Sequence, residues 1–511
     1  MTAAQTTARP AAGRRSDRPW LLALGACIVA SCLRQLTWAV TVAPELIMRR
    51  APADDAMIYL ALAEHAPRPE FTDGILTTGL HPLYWLLLTP VVHLWEGIGA
   101  IRAMLVLCIV LHQVSGALLY LAVRTRSSAL PAFAAASLWL LLPGPRTLVV
   151  MGVETALLAC CLAVVLLVLA RHPVPSRRGA VELGLAVGVA YLARTDSPLV
   201  TLPLVAAWLW PLRRDLRQGA RTLATVGVTS FVVALPWLAY LATQGAVFAS
   251  DAFRAERLGT SVSRFVATEK RALAELYLVN SAGDLRHRLG WVATVLVIVG
   301  VALAAWALYR RRDRIALAGL GGPVLLFIAY GSLQGYMRDW YLGYPLFAVC
   351  AFIVPLLAEL VPRRAAVPAL VVVLVGSILV PNHVLNPQEG DKYQAAPLAD
   401  ERLPPGARVG AFNAGTYQFL MDADVVNLDG VVNRHVLGPK RAGRLCDYLV
   451  AEGIDHLLDT TVYLEENQRA DPRLRFTETI DLDQVYDPDR VHVDQDQVLA
   501  TVDLDRCREP R

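Results

Sequence analysis

The chain has 511 residues, of which 55% are apolar and only 18% are charged. A typical soluble domain has about 25% charged residues, so this composition excludes an ordinary cytosolic enzyme and a disordered regulator. Apolar runs of about 20 residues recur along the first three quarters of the chain, and each is long enough to cross a hydrocarbon core of roughly 30 Å. The sequence therefore predicts a membrane protein with many spans.

The net charge of +4 conceals two parts of opposite sign. Residues 1–380 carry 34 basic and 20 acidic side chains, whereas residues 381–511 carry 14 basic and 24 acidic ones. We therefore expect a cytoplasmic N-terminal tail over 1–19, a transmembrane domain over 20–381 and an acidic soluble α/β domain over 382–511.

Six of the eight cysteines lie in apolar runs, where cysteine acts as a small hydrophobic residue. Cys446 and Cys507 lie in the acidic domain and could form a disulfide if that domain is extracytoplasmic. No Cys/His spacing typical of a metal site occurs.

The basic clusters between the apolar runs predict the orientation, because cytoplasmic loops are enriched in Arg and Lys. All clusters fall inside only if one early apolar segment does not cross. The segment 82–96 is short and contains Pro90, so we interpret it as a re-entrant or interfacial helix of a first extracytoplasmic loop, 45–100. The prediction is a polytopic α-helical membrane protein of about 11 spans with the C-terminal α/β domain outside. The predicted spans are 20–44, 101–123, 129–148, 153–170, 180–194, 197–211, 222–242, 289–309, 314–331, 342–361 and 366–381.

An acidic pair, Asp54-Asp55, begins a short amphipathic segment after the first span. Asp54 could act as a helix N-cap, and both charges suit the helix dipole. Alternatively the pair provides a general base, or a ligand for a metal ion or a hydroxyl, at the membrane surface.

Two further polar residues, His81 and Glu154, fall on the extracytoplasmic side of the predicted topology, as the acidic pair does. His81 follows the turn-rich text TTGL and is either a helix-start residue or an imidazole placed near a lipid phosphate. Glu154 stands at the mouth of an apolar span, where a carboxylate is costly unless it caps a helix, is paired or faces water.

Several arginines also map to this outer side. Arg194 and Asp196 either close a turn as an ion pair or face a ligand. Loop 243–288, with Arg254 and Arg257, is either a solvated amphipathic helix or a functional loop. In the aromatic stretch YMRDWY, Arg338 and Tyr341 either belong to the aromatic belt at the membrane–water interface or bind a lipid phosphate, with Arg338 as its cation.

The convergence of acids and cations outside, beside a re-entrant apolar helix, favours a reaction on a lipid phosphate. The lipid chain requires apolar grooves, and a leaving phosphate requires cations. No glycine-rich phosphate motif is present, and the site faces away from the cytosol, so we expect neither a nucleotide-sugar donor nor a nucleic-acid partner.

The text DDAMIYLALA resembles the DDAYI form of bacterial arabinofuranosyltransferases, and TTGLHPLYWLLL is similar to the loop-end helix of aminoarabinose and protein-mannosyl transferases. In the same transferases, counterparts occur at comparable places for three further stretches: MGVET, YLARTD and LPWLAYLATQG. The chain thus resembles the GT-C glycosyltransferases, integral-membrane enzymes that use polyprenyl-phosphate sugars. The resemblance implies that Asp54 is the general base and Asp55 a second acid. Where the family often has Lys before its Pro-Leu, this chain has His81.

The hypothesis is an inverting transfer of a sugar, such as arabinofuranose or mannose, from a polyprenyl-phosphate donor to an envelope glycan or lipid. Asp54 would deprotonate the acceptor, a cation such as Arg194 or Arg338 would stabilise the leaving phosphate, and Glu154 with Asp55 would orient the acceptor or hold a divalent metal. The site residues would lie at the outer face of the inner or plasma membrane, with the N-terminus cytoplasmic. The alternative is a transporter or flippase of lipid-linked sugars.

In the tail, 408–412, 425–428 and 454–459 read as strands, and 414–421 and 438–452 read as helices. We expect this domain to bind the acceptor or to cover the site.

Overall fold

The computed structural model describes residues 14–256, 299–333, 338–379, 387–482 and 496–509. Helices predominate, and a short antiparallel hairpin, β1 (Glu70–Thr72) and β2 (Ile75–Leu76), interrupts them. The first twelve helices are α1 Arg14–Thr41, α2 Pro44–Arg50, α3 Asp54–Glu64, α4 Pro82–Leu94, α5 Gly97–Arg124, α6 Ala129–Leu141, α7 Pro143–Val150, α8 Thr155–Arg171, α9 Arg177–Ala193, α10 Pro198–Leu209, α11 Leu216–Thr243 and α12 Asp251–Glu256. Later helices of the membrane part cover 299–311, Arg314–Leu333, Gly343–Ala348, Val354–Leu360 and Arg363–Leu379, with a π-helical turn at Val349–Ile353.

The protein is a multi-pass membrane protein by the length and composition of its helices. Among the described residues, the helical stretches Asp17–Thr41, Gly97–Arg124, Leu216–Thr243 and Trp340–Leu360 are long and apolar enough to cross a membrane. Helices α6 and α7 form a fifth candidate if they count as one span bent by 48°. The figure of about 11 spans stays a prediction.

The helical segment near the end of the first loop is short. Helix α4 has 13 residues, starts with Pro82 and contains Pro90. At 1.5 Å per residue it extends about 20 Å, less than the roughly 30 Å of a hydrocarbon core. This length agrees with an interfacial or re-entrant helix.

Basic clusters from distant segments meet at one end of the helices. Arg124 pairs with Asp17 at 2.8 Å, and Arg126 pairs with Asp313 at 2.8 Å. Because α5 has 28 residues, about 42 Å of helix separates Arg124 from the first loop. The positive clusters and the first loop therefore lie at opposite ends of α5.

The tail folds around a five-stranded sheet. Its strands are β3 Arg408–Ala411, β4 Asp424–Asn427, β5 His456–Thr460, β6 Phe476–Asp481 and β7 Gln497–Val502, in the spatial order β4-β3-β5-β7-β6. Strand β3 pairs in parallel with β4 and β5, whereas β7 pairs antiparallel with β5 and β6. The tail helices are Pro387–Asp400, Gly415–Leu420, Leu437–Arg441, Leu445–Glu452, Thr461–Ala470 and Leu504–Arg508.

The two faces of this sheet belong to different cores, because successive strand residues point to opposite faces. Val425 and Leu458 join the large core that contains the membrane helices, whereas Val426 and Leu457 join a smaller core within the tail. One face of the tail sheet is therefore packed against the rest of the molecule.

The structure pairs Cys446 with Cys507, which are 61 residues apart, and leaves the other six cysteines as free thiols. We predict that the denatured, unreduced chain takes up six maleimide labels and the reduced chain eight, as counted by intact mass. Eight labels without reduction would contradict the pairing.

Candidate active site

Six of the predicted site residues line one cavity of about 330 Å³. They come from five separate stretches of the chain, and the segment 246–253, Trp340 and Val431 complete parts of the wall. The predicted residues on the cavity are Asp55, His81, Glu154, Arg194, Asp196 and Tyr341.

A buried ion network of Arg194, Glu154 and Asp196 forms part of the cavity lining. Arg194 donates to Glu154 at 2.8 Å and to Asp196 at 3.0 Å, and the side chains of these three residues are 1%, 3% and 11% exposed. The hydroxyls of Tyr330 and Tyr344 donate to Asp196 at 2.6 and 2.5 Å. Burial raises the pKa of Asp196, but the attraction of Arg194 and these hydrogen bonds outweigh it and hold the pKa below its usual range. Asp196 is thus an anion.

The local sequence explains why this network forms at a turn. Helix α9 ends at Ala193, and Pro198 starts α10, so Arg194 and Asp196 occupy the short connection between them. The guanidinium of Arg194 also lies 4.4 Å from the centroid of the Tyr341 ring, within the range of a cation–π interaction. Glu154 occupies the N-cap position of α8 but makes no capping bond, because its carboxylate binds Arg194.

His81 lies beside this network. Its Nε2 is 3.7 Å from Glu154 Oε1, and its Nδ1 is placed to accept from the backbone N–H of Thr195 at 3.3 Å. Burial lowers the pKa of His81, and the neighbouring Glu154 carboxylate only partly opposes this effect. A neutral imidazole with its proton on Nε2 satisfies both contacts.

The acidic pair is divided between two environments. Asp54 is the first residue of α3, after Ala53 at the N-cap, so Asp54 is not the cap. Asp55 lines the cavity, whereas Asp54 Oδ1 accepts from Lys392 Nζ at 2.9 Å. Consecutive helical residues point about 100° apart, so the two carboxylates leave α3 in different directions.

Lys392, which sequence analysis missed, is fully buried and also donates to Glu389 at 2.9 Å. Burial lowers the pKa of Lys392, but the Asp54 and Glu389 carboxylates raise it above its usual value. The i,i+3 spacing of Glu389 and Lys392 was the available signal, but it is equally typical of exposed helices.

The TTGL segment is fixed by Asp251, which is fully buried. Asp251 Oδ2 accepts from the hydroxyl of Thr77 at 3.1 Å and from the backbone N–H of Thr78 at 2.8 Å. In return Thr78 Oγ1 accepts from the backbone N–H of Asp251 at 3.0 Å. These bonds connect the turn before His81 to the start of α12.

Two predicted basic residues, Arg254 and Arg338, do not line the cavity. Arg254 donates to the carbonyl of Gly245 at 2.8 Å and does not line the cavity. Arg338 also stands outside the lining, but its guanidinium carbon lies 5.6 Å from the ring centroid of Trp340, which does line it. Arg257 lies outside the described residues.

The cavity has an excess of negative charge among its described lining residues. Asp55, Glu154 and Asp196 contribute carboxylates, and Arg194 contributes the guanidinium. Over the part of the chain that the structure describes, no three His, Cys, Asp or Glu side chains are grouped to hold a metal ion. The lining suits a ligand that donates hydroxyl groups.

Comparison with solved structures identifies the architecture. ArnT from Cupriavidus metallidurans bound to undecaprenyl phosphate superposes with a TM-score of 0.57 and 15% identity, covering 96% of this chain and 99% of that one. The Archaeoglobus fulgidus oligosaccharyltransferase gives 0.52 and 13%, covering 87% and 70%. The chain has the GT-C glycosyltransferase fold. The resemblance predicted from the motifs is therefore confirmed for the fold.

A third structure with the GT-C fold, the arabinofuranosyltransferase AftD from Mycobacteria, gives a TM-score of 0.50 and 18% identity, covering 95% of this chain and 40% of that one. No family model matches the sequence. No curated protein matches it either.

We predict that Arg194→Met strongly destabilises the protein. The substitution leaves Glu154 and Asp196 buried without their counter-charge, and removing one partner of a buried ion pair costs about 3–5 kcal/mol. The measurement is the thermal unfolding midpoint of the purified protein in detergent. The control is Arg178→Met, since Arg178 is largely exposed in its pair with Glu182 and should matter little. Equal midpoints for the two variants would contradict this account of the network.

Proposed function

We propose that the protein is an inverting glycosyltransferase. It moves a sugar from a polyprenyl-phosphate donor to a hydroxyl of a cell-envelope glycan or lipid, on the extracytoplasmic side of the inner or plasma membrane. The observation that supports this most directly is that one cavity is lined both by Asp55, on helix α3, and by the buried ion network of Arg194, Glu154 and Asp196. The GT-C fold supports the same class of reaction.

In this proposal Asp55, and not Asp54, is the general base. Asp55 lines the cavity, whereas Asp54 is bound to the buried Lys392. Asp55 takes the proton from the acceptor hydroxyl as the acceptor oxygen attacks the anomeric carbon. The bond from that carbon to the phosphate oxygen breaks, and polyprenyl phosphate leaves with the electron pair. One displacement inverts the anomeric configuration.

Arg194 has a different role from the one expected. Two carboxylates already compensate its charge, so it fixes Glu154 and Asp196 for contact with acceptor hydroxyls. The leaving phosphate then needs cations at the cavity edge. Arg338, beside Trp340, is a candidate, and Arg257 is a further candidate from the sequence. A well-placed donor to a developing anion contributes roughly 3–4 kcal/mol.

His81 contributes a neutral donor. Its Nε2 lies 3.7 Å from Glu154 Oε1, too far for a hydrogen bond, so it faces that carboxylate without fixing it as Arg194 does. A divalent cation would offset the excess negative charge of the cavity, but the described side chains do not assemble a cage for it, and no step here depends on one.

The orientation belongs to the same proposal. The N-terminus is cytoplasmic and the tail extracytoplasmic, because the basic clusters that meet at the far end of α5 mark the cytoplasmic side. The cavity and the tail then lie outside, where lipid-linked sugars are consumed. The donor sugar is arabinofuranose or mannose, as the motif resemblance suggests.

The deciding experiment compares Asp55→Asn with its matched control Asp54→Asn. A deletion strain should accumulate one polyprenyl-phosphate sugar, and the radiolabelled form of that lipid serves as donor for the purified enzyme. Asp55→Asn should lose at least 100-fold in kcat, within the usual range for removing a general base. Asp54→Asn keeps an amide oxygen that can accept from Lys392, so the position of Asp55 should be preserved and kcat should fall far less than in Asp55→Asn.

Full turnover by Asp55→Asn would remove Asp55 from the mechanism, and loss only in Asp54→Asn would restore Asp54 as the base. If the deletion strain accumulates the lipid-linked sugar on the cytoplasmic leaflet alone, and glycosyl transfer outside the membrane shows no defect, the result would instead favour a flippase.

A further inference from the structure

The carboxyl edge of the tail sheet faces the first extracytoplasmic loop. Strand β3 has β4 on one side and β5 on the other, and both pairings are parallel. Open sheets of this kind bind ligands at the carboxyl ends of the strands, where the connections leave in opposite directions. Here the residues that follow β3 contact the protein's own helix α3, which carries the acidic pair.

An ionic contact is the first tie between the tail and α3. The ammonium of Lys392 is fully buried and lies 2.9 Å from Asp54 on α3 and 2.9 Å from Glu389 on its own helix. Glu389 in turn accepts a hydrogen bond from the hydroxyl of Thr416, in the helix after β3. Asp459, at the end of β5, is also fully buried, and its carboxylate adds to the negative field around Lys392.

A close backbone approach is the second tie. A Cβ added at Gly415 would lie 2.4 Å from the carbonyl oxygen of Asp54 and 3.0 Å from the backbone nitrogen of Ile58. Such distances are shorter than side chains tolerate, so only glycine allows this helix to lie on the first turn of α3. Packing against α3 therefore explains why a glycine stands at position 415, in the segment 413–417 (NAGTY).

A third contact reaches the cavity itself. Val431 lines the cavity, and its carbonyl lies so close to Gly79 that a Cβ there would collide with it. The segment that follows β4 (LDGVV, 428–432) thus packs on the TTGL segment of the first loop (77–80). Tail and loop build the wall near Asp55 together.

We propose that the tail domain is a positioning element for the general base: Lys392 and Gly415 fix the first turn of α3, so that Asp55 faces the cavity. This inference rests on the proposed function for its catalytic meaning. Because Asp54 and Asp55 are neighbours on one helical turn, holding the Asp54 carboxylate sets the direction in which Asp55 points. The carboxyl edge of the tail sheet, where open sheets of this kind bind ligands, here contacts α3.

Two chemically unrelated perturbations test the proposal. Glu389→Gln with Lys392→Met removes the buried cation and neutralises Glu389, the more deeply buried of its two carboxylate partners; Asp54, the other partner, is then released from its contact with the tail. Gly415→Ala changes no charge but inserts a methyl group against the Asp54 carbonyl. Both variants should lower kcat at least tenfold, while KM for the lipid-linked sugar that the deletion strain accumulates stays within twofold.

The matched control is Thr72→Val. The hydroxyl of Thr72 donates to the carbonyl of Val425 at 2.7 Å, so this residue also connects the first loop to the tail, but through β4 and not through the contacts of Lys392 and Gly415 with Asp54. Its kcat and KM should both stay within twofold of the wild-type values. Hydrogen–deuterium exchange of α3 in the full-length protein is the second readout, and it should accelerate in the two test variants only.

The outcomes separate the two proposals. Unchanged kcat in folded Gly415→Ala and in the double variant would overturn the positioning role, as would a raised KM with unchanged kcat, which would assign the tail to substrate binding. An equal loss in Thr72→Val would assign the effect to tail docking in general. If the wild-type protein turns over no lipid-linked sugar, the proposed function fails, and the exchange rates of α3 still decide whether Lys392 and Gly415 position it.

Discussion

Charge that is buried away from water must be paired where it lies, and this constraint determines which distant segments of the chain meet. Arg194 is almost fully buried, so Glu154 and Asp196 must lie against it. Lys392 is fully buried, so Asp54 and Glu389 must surround it. The first network contributes to the cavity wall, and the second holds the residue next to Asp55. The two together join membrane helices, first loop and tail into one site.

Much of the cavity could be predicted from the sequence because polar residues are conspicuous in an apolar chain. Glu154, Arg194 and Asp196 interrupt apolar runs, and the charge pattern placed all three on the same side as the acidic pair. Three tail strands were predicted close to β3, β4 and β5, because their apolar residues are bounded by turn residues. Strand β6 was missed, since it is largely exposed and its sequence is polar. Strand β7 was also missed, although its sequence QVLATV is mostly buried and apolar.

Other features depend on packing that no local pattern encodes. The sequence could not say which of Asp54 and Asp55 faces the cavity, because that depends on how α3 is rotated against its neighbours. The role of Lys392 depends on burial, and its surrounding text, QEGDKYQ, reads as a solvated helix. Arg254 was assigned to the site from its charge, but its guanidinium is used to bind the carbonyl of Gly245. For the acidic pair and for Lys392, a contact between remote segments decides the outcome.

The most direct test of this account is an experimental structure of the full-length protein bound to undecaprenyl phosphate. The account predicts phosphate density at the edge of the cavity near Trp340 and Arg338, with the Asp55 carboxylate facing the cavity and Asp54 bound to Lys392. A phosphate bound elsewhere, or an Asp54 carboxylate that faces the cavity while Lys392 lies in solvent, would contradict it.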